Sequence, residues 1–223
     1  MTGTGAGGRL SARGPRLYVV VDRSACGGRD LEEICAAAIA GGAEMIQLRE
    51  KTEPSGTIFP LAKKLAARCR AAGVPFIMND RVDLAVAVDA DGVHLGQEDL
   101  PPAAARAIMK PGMILGLSTH SEEQAAAAQA AGADYVAVGS MFPTTTKPIK
   151  HLVGPPLARR VRPLVNVPLI GIGGITPENA GEVIAAGCDG VAVISAVGAA
   201  PDPAAAARRF VTAIDAARGK RTP

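Results

Sequence analysis

One pattern recurs along this chain and limits the folds that are open to it: an alanine-rich helix end, then glycine, then an apolar strand. Copies lie at residues 40–46, 71–77, 130–138 and 185–193. Glycine can end a helix in the left-handed conformation, and an apolar run directly after it is typical of a buried parallel strand. Helix followed by strand, repeated along the chain, predicts parallel pairing through right-handed crossovers.

The apolar runs predict eight strands that alternate with seven connecting helical segments, and a last helix follows near residues 203–217. The strands are predicted at residues 17–21, 45–48, 76–78, 92–95, 114–117, 135–138, 169–172 and 191–194. Eight parallel strands that close on themselves leave no open edge, so we predict an α/β fold, a single (β/α)8 TIM barrel. A doubly wound open sheet is the alternative, because the helical segment at 82–88 is short for a crossover.

The length of 223 residues suits one such barrel, and 48% hydrophobic residues are enough for a large core. We predict a tail at residues 1–14, the barrel at 15–218 and a frayed end at 219–223. Only 3% of the residues are aromatic, tryptophan is absent, and the basic residues behind the net charge of +3 are scattered along the chain. A nucleic-acid partner is therefore not expected.

The four cysteines form no C-x-x-C pair, so they are interpreted as small buried residues in a reducing compartment rather than as disulfides or zinc ligands. The glycine-rich start resembles neither a signal peptide nor a membrane span, and no other window has 18 uninterrupted apolar residues. We therefore expect a soluble, cytoplasmic protein with no membrane contact.

Strand 2 runs into polar and basic residues at the end where barrel enzymes carry their sites. Side chains alternate along a strand, so Gln47, Arg49 and Lys51 share one face if the extended conformation continues. Two cations and an amide there suit a phosphate or diphosphate, with arginine offering a fork and lysine a point charge. The alternative is a surface ion-pair cluster with Glu50 and Glu53.

Two aspartates follow neighbouring strands. Asp80 comes directly after strand 3 and Asp99 follows strand 4, so we expect them to meet at the barrel mouth. Two carboxylates beside a phosphate clamp suit a hard cation, and Mg²⁺ fits because it keeps waters and substrate oxygens in its shell. As alternatives, Asp99 caps the following helix, and Asp80 pairs with Arg81 or Arg49.

Strand 5 ends in Ser118, which could donate a hydrogen bond to a ligand, and Ser121 is predicted to start the next helix. His94 and His120 are not spaced as a metal pair, and both are interpreted as structural.

The connection after strand 6 is long for an α/β unit and reaches roughly to residue 154. It places three threonines and a lysine between two prolines, namely Thr144, Thr145, Thr146 and Lys147. We interpret it as a candidate lid, with an ordinary solvated surface loop as the alternative.

A glycine stretch joins strand 7 to the next helix, with Thr176 predicted as N-cap and Pro177 as the first helical residue. Gly173 and Gly174 would expose backbone N–H groups to a phosphate, or serve only a tight turn. A dinucleotide fingerprint does not fit, because Thr176 stands where its last glycine is needed. A phosphate between the loops after strands 7 and 8 recurs in barrels, which favours a phosphate site with Ile194-Ser195.

Together these motifs resemble the thiamine phosphate synthase (thiamine-phosphate pyrophosphorylase) family, from about residue 16 to residue 218. The matching segments, in the family's order, are residues 47–51, 79–80, 94–99, 118–120, 143–147, 171–175 and 194–195. The chain departs from the family pattern at Ser140, where a proline is expected after Gly139.

The resemblance implies an enzyme, a transferase that joins 4-amino-2-methyl-5-(diphosphooxymethyl)pyrimidine to 4-methyl-5-(2-phosphoethyl)thiazole, or its carboxylate, and releases pyrophosphate. It implies that the pyrimidine diphosphate is bound by Gln47, Arg49, Lys51, Asn79, Ser118 and Lys147. It implies that the thiazole phosphate is bound by Thr144, Thr145, Thr146, Gly174, Ile194 and Ser195. It also implies that Asp80 and Asp99 hold Mg²⁺ as cofactor.

The family's reaction is a dissociative substitution, in which Mg²⁺, Arg49, Lys51 and Lys147 neutralise the departing diphosphate. The partners are then small-molecule substrates, and the formation of a homo-oligomer is possible. Two alternatives remain on the same barrel: a relative resembling a thiazole tautomerase, and a regulator that binds phosphate ligands without catalysis.

Overall fold

A computed structural model describes Leu10, residues 13–144 and residues 152–220. Among these residues, eight parallel strands pair in chain order and the last pairs with the first, so the sheet is a closed barrel. The strands are β1 (Leu17–Asp22), β2 (Met45–Arg49), β3 (Phe76–Asn79), β4 (Gly92–Leu95), β5 (Ile114–Thr119), β6 (Tyr135–Gly139), β7 (Leu169–Ile172) and β8 (Gly190–Val193). The predicted barrel is confirmed and the open sheet is wrong.

Helices surround the barrel and connect the strands. In the described ranges they are α1 (Leu31–Ala40), α2 (Ser55–Ala72), α3 (Val82–Ala87), α4 (Pro102–Ile108), α5 (Glu122–Ala130), α6 (Gly154–Val161), α7 (Ala180–Ala185), α8 (Ser195–Gly198) and α9 (Pro203–Arg218). The short crossover α3 exists as predicted. The four-residue helix α8 was not predicted, because so short a segment carries no helical periodicity. None of the described helices is both long enough and apolar enough to cross a bilayer.

The glycines of the recurring helix–glycine–strand pattern end helices as expected. One glycine in each copy has a positive φ, and these are Gly42, Gly73, Gly132 and Gly187. Each lies between a helix and the strand that follows it, where only glycine adopts this conformation without strain. All predicted strand ends fall within two residues of those observed.

Side chains alternate in direction along each strand, so one set fills the barrel interior and the other forms an outer layer under the helices. Met45 of β2 packs inside against residues such as Tyr18, whereas Ile46 and Leu48 belong to the outer layer. Gln47 therefore faces inward, as predicted. Leu10, in the predicted tail, also packs against the interior cluster.

Three residues in one row of the barrel, His94, Gly116 and Tyr135, show how the interior is filled. They are neighbours on β4, β5 and β6. The Tyr135 ring lies over Gly116 and stacks on the His94 ring at a centroid distance of 5.5 Å and an angle of 25°. A Cβ at Gly116 would lie 2.0 Å from Tyr135 Cζ. The missing side chain is what lets the two rings meet.

Two helix starts were predicted, and one is correct. Ser121 caps α5 and accepts a hydrogen bond from the Gln124 N–H at 3.2 Å. Thr176 does not begin α7, which starts at Ala180. The Asn179 side chain accepts from the Thr176 N–H at 2.8 Å and holds the intervening residues in a turn.

The four cysteines are buried free thiols, as expected.

Replacing Gly116 by alanine is expected to destabilise the barrel by about 1–3 kcal/mol, the usual cost of overpacking, because the new methyl group collides with the Tyr135 ring. Urea unfolding measures this change in free energy. Gly56→Ala is the control: Gly56 lies in α2 with open space at its Cβ position, so no loss is expected. Equal stability of both variants would contradict the packing described for Gly116.

Candidate functional site at the mouth of the barrel

The inward row of β2 continues into the mouth as Gln47 and Arg49. The Arg49 guanidinium donates to the carboxylate of Asp22, which ends β1 and is only 2% exposed. Asp22 also accepts from the Ser24 N–H at 2.9 Å and from the Ser24 hydroxyl at 2.5 Å. Arg49 is therefore held in place by a buried carboxylate of the neighbouring strand.

The alternative of a surface cluster around Glu50 and Glu53 is wrong for Arg49. Glu50 accepts instead from Arg23 at 2.7 Å. Sequence reasoning missed Asp22; its polar side chain at the end of an apolar strand beside β2 was the available signal.

Asp80 and Asp99 meet at the mouth, as predicted, with their carboxyl groups in hydrogen-bonding contact. Lys51 donates to Asp80, so Asp80 pairs neither with Arg81 nor with Arg49. Arg81 instead pairs with Asp83 at 2.6 Å.

The backbone around this pair is specialised. Asp80 has a φ of 59°, a left-handed conformation that aspartate and asparagine tolerate better than most residues. Asp99 accepts from the Gly96 N–H at 2.6 Å and does not cap α4, whose N-cap residue is Pro101. The helix-cap alternative for Asp99 is therefore wrong.

The two carboxyl groups have opposite pKa shifts. Burial raises the pKa of Asp80, and the neighbouring Asp99 adds to this while Lys51 opposes it. Burial also acts to raise the pKa of Asp99, but hydrogen bonds from Asp80 and the Gly96 N–H outweigh it, so this pKa is lowered. Two adjacent carboxyls are costly to ionise together, and a cation placed between them would relieve that cost.

Asn79 ends β3 beside Asp80 and is only 8% exposed. Its amide nitrogen Nδ2 is buried and has no hydrogen-bond partner in the part of the chain that the structure describes. A buried donor of this kind costs free energy unless a ligand or water accepts from it.

The two histidines near the mouth take part in hydrogen bonds within the protein, in agreement with a structural role. His94 Nε2 lies 2.7 Å from Ser118 Oγ. His120 Nδ1 lies 2.6 Å from the carbonyl oxygen of Gly139, to which it donates. No cluster of three or more potential metal ligands exists within the described ranges, so a metal here would rely on two carboxylates and on substrate or water oxygens.

A pocket opens on the opposite side of the mouth, above β7 and β8. Its lining includes Ser118, His120, Ser140, Thr144, Gly173, Gly174, Ile194 and Ser195. Ser140, at the position where the family pattern has proline, is thus one of the residues that line this pocket. The pocket brings together the predicted phosphate-binding residues Thr144, Gly174, Ile194 and Ser195; Thr145, Thr146 and Lys147 lie outside the described residues.

Gly173 and Gly174 have φ values of 100° and 62°. A Cβ at Gly174 would lie 2.4 Å from the carbonyl oxygen of Pro143. The tight turn and the close approach of the β6–α6 connection therefore explain both glycines without a ligand. The phosphate site remains a prediction.

Replacing Asp22 by asparagine removes the charged partner of Arg49, and we expect the free energy of unfolding to fall by about 1.5–3 kcal/mol, the range for hydrogen bonds to charged groups. Chemical denaturation measures the change. Asp83→Asn breaks an ion pair whose carboxylate side chain is 63% exposed, so its expected effect is about 0.5 kcal/mol or less. Similar losses in the two variants would contradict the special role of Asp22.

Comparison with known proteins identifies the family. The sequence pattern of thiamine monophosphate synthases matches residues 17–197. The chain is 49% identical to the thiamine-phosphate synthase of Moorella thermoacetica, over 92% of this chain and 98% of that protein. It is also 49% identical to the enzyme of that name from Roseiflexus sp., with 92% and 87% covered.

A solved structure agrees with these relatives. Thiamine phosphate pyrophosphorylase from Pyrococcus furiosus superimposes with a TM-score of 0.84 at 39% identity and covers 91% of this chain and 96% of that one. The chain therefore belongs to the thiamine monophosphate synthase family, as a transferase of thiamine biosynthesis.

Proposed function

We propose that this chain makes thiamine phosphate at the barrel mouth by joining the pyrimidine diphosphate to the thiazole phosphate, with release of pyrophosphate. The observation that carries the proposal is the contact between Asp80 and Asp99, with Lys51 bound to Asp80 and Arg49 at the end of the neighbouring strand β2. Such an arrangement suits a reaction whose main requirement is to stabilise a departing diphosphate.

The Asp80–Asp99 pair fits Mg²⁺. Both side chains offer carboxylate oxygens, and their mutual repulsion when ionised calls for a cation. Mg²⁺ held there would neutralise part of the charge that develops on the leaving group. The bond that Lys51 donates to Asp80 supports this proposal, because it places a positive charge next to the same carboxylate.

In the proposed diphosphate site, side chains from the ends of several strands surround the Mg²⁺ position. Arg49 and Lys51 bind phosphate oxygens, and the family resemblance adds Lys147 from the β6–α6 connection. Gln47, Asn79 and Ser118 bind the pyrimidine part. The buried, unpartnered Nδ2 of Asn79 supports this assignment, because a ligand acceptor would satisfy it.

The proposed mechanism is a dissociative substitution. The diphosphate departs first and leaves a pyrimidinylmethyl cation that the ring amino group stabilises; the thiazole nitrogen then attacks. Arg49, Lys51 and Lys147 act by charge, and no protein nucleophile or general base is needed. The role of the pocket is then to hold the thiazole close to the carbon that is attacked.

The proposed acceptor site is the pocket above β7 and β8. Thr144, Thr145 and Thr146 bind the thiazole phosphate with side-chain hydroxyls, and Gly174, Ile194 and Ser195 bind it mainly with backbone groups. The same pocket would take the thiazole phosphate or its carboxylate form. We also propose that the enzyme acts in the cytoplasm, because phosphorylated substrates do not cross a bilayer unaided.

Pyrophosphate release tests the function directly. Mixing both substrates with Mg²⁺ is expected to release pyrophosphate only when the thiazole phosphate is present. EDTA should abolish the release and added Mg²⁺ should restore it, because the protein cations alone leave part of the diphosphate charge unneutralised. A relative resembling a thiazole tautomerase would release none, and a regulator would bind ligands without turnover. Full activity in excess EDTA would refute the metal assignment.

Two charge-removing variants test the site assignment. Asp80→Asn and Lys147→Ala are each expected to lower kcat by at least about 10²-fold, as expected for loss of a group that stabilises transition-state charge. Asparagine tolerates the left-handed backbone at position 80, so the loss would reflect charge and not strain. Steady-state pyrophosphate release gives kcat, and the control Asp83→Asn should remain near wild type. Near-normal kcat in both variants would overturn the assigned roles.

A further inference from the structure

A continuous chain of hydrogen bonds crosses the barrel interior beneath the mouth. Gln47 Nε2 donates to Tyr18 Oη, which lies 2.9 Å from Tyr135 Oη. Tyr135 Oη lies 2.8 Å from His94 Nδ1, and His94 Nε2 lies 2.7 Å from Ser118 Oγ. The chain thus begins and ends at side chains assigned to the pyrimidine, one on β2 and the other on β5.

The three middle members, Tyr18, Tyr135 and His94, are called the Tyr–His relay below. Tyr18 and Tyr135 are the only tyrosines of the sequence, and both are almost fully buried. Burial raises the pKa of each phenol, so both keep their proton and can act as donor and acceptor at once. The Tyr–His relay exists only because Gly116 leaves room for the Tyr135 ring.

Each hydroxyl has one proton, so the direction of one bond decides the direction of the next. When Gln47 donates to Tyr18, Tyr18 donates to Tyr135 and Tyr135 donates to His94 Nδ1. The His94 proton then lies on Nε2 and is donated to Ser118. Ser118 keeps its own proton for a ligand, while the Gln47 carbonyl oxygen Oε1 stays available as an acceptor. Reversing the Gln47 amide would reverse every bond and leave Ser118 only an acceptor.

We propose that the Tyr–His relay is a positioning device that couples Gln47 to Ser118, so that Gln47 presents an acceptor and Ser118 a donor to one ligand. This pattern is complementary to an aminopyrimidine edge, which offers amino N–H donors beside ring nitrogen acceptors. The identity of the ligand rests on the proposed function. The order of protons within the relay does not depend on it.

Tyr135→Phe is the main variant, because it keeps the ring over Gly116 and removes only the hydroxyl. We expect kcat/KM for the pyrimidine diphosphate to fall about tenfold, equivalent to one lost hydrogen bond. In a Ser118→Ala background the same change should have less than about a twofold effect, because the relay then no longer connects Gln47 to a second ligand-binding group, and Gln47 keeps its own bond to Tyr18. Tyr18→Phe provides a second route if Tyr135→Phe does not fold. Because Tyr18 is also the direct partner of Gln47, its loss should shrink in the Ser118→Ala background without vanishing, and an undiminished loss would contradict the coupling.

Thr119→Val is the matched control. Thr119 is a neighbour of Ser118 on β5 whose buried hydroxyl donates to the Ala137 carbonyl at 3.1 Å, apart from the relay. It should cost stability but leave kcat/KM within about twofold in both backgrounds. If Tyr135→Phe lowers kcat/KM by the same factor in the Ser118→Ala background as in wild type, the coupling is overturned and the relay has a merely structural role.

Nitrogen NMR of the ligand-free enzyme separates this inference from the proposed function. The sequence has three histidines, so His94 can be assigned by its loss in His94→Gln. At a pH where the imidazole is neutral, we expect the proton on Nε2 in wild type and a tautomer mixture in Tyr135→Phe. A proton on Nδ1 in wild type, or no change in the variant, would overturn the relay. Absent pyrophosphate release with the expected tautomers would instead refute only the proposed function.

Discussion

Closure of eight parallel strands decides which side of every strand faces the barrel interior, and the whole site depends on that alternation. Because β8 pairs with β1, no strand can rotate without moving its outward residues out of the layer under the helices. Ile46 and Leu48 therefore hold Gln47 and Arg49 inward through ordinary hydrophobic burial. The apolar side of β2 thus orients the polar side that would bind a diphosphate.

Charges at this mouth are compensated within the protein. Arg49 is held by the buried carboxylate of Asp22, and Lys51 by Asp80. The two partners differ in a useful way: Asp22 is anchored by further hydrogen bonds to Ser24, whereas Asp80 also contacts Asp99. We infer that Arg49 is preorganised, while Lys51 shares its carboxylate with the proposed metal site and is the cation that can be redirected toward a ligand.

The sequence predicted what local patterns encode. Continuous apolar runs predicted the buried strands, and the order of the strands predicted that Asp80 and Asp99 meet. It did not predict pairings that depend on side-chain reach across the barrel, such as the contact between Tyr18 and Tyr135, 117 residues apart. The start of α7 was misplaced for a local reason: the Asn179 side chain satisfies the Thr176 N–H and competes with the helix.

Under the proposed function the two sides of the mouth would recognise phosphate by different means, and the proposed chemistry accounts for the division. Above β7 and β8, glycine backbone at Gly173 and Gly174 shapes a pocket in which the acceptor's phosphate would keep the same charge throughout the reaction. Near β2 to β4, the charge on the leaving diphosphate changes as its bond breaks, so ionised side chains gain most there. Fixed backbone dipoles suit the ligand that is only held, and Arg49 and Lys51 suit the one that departs.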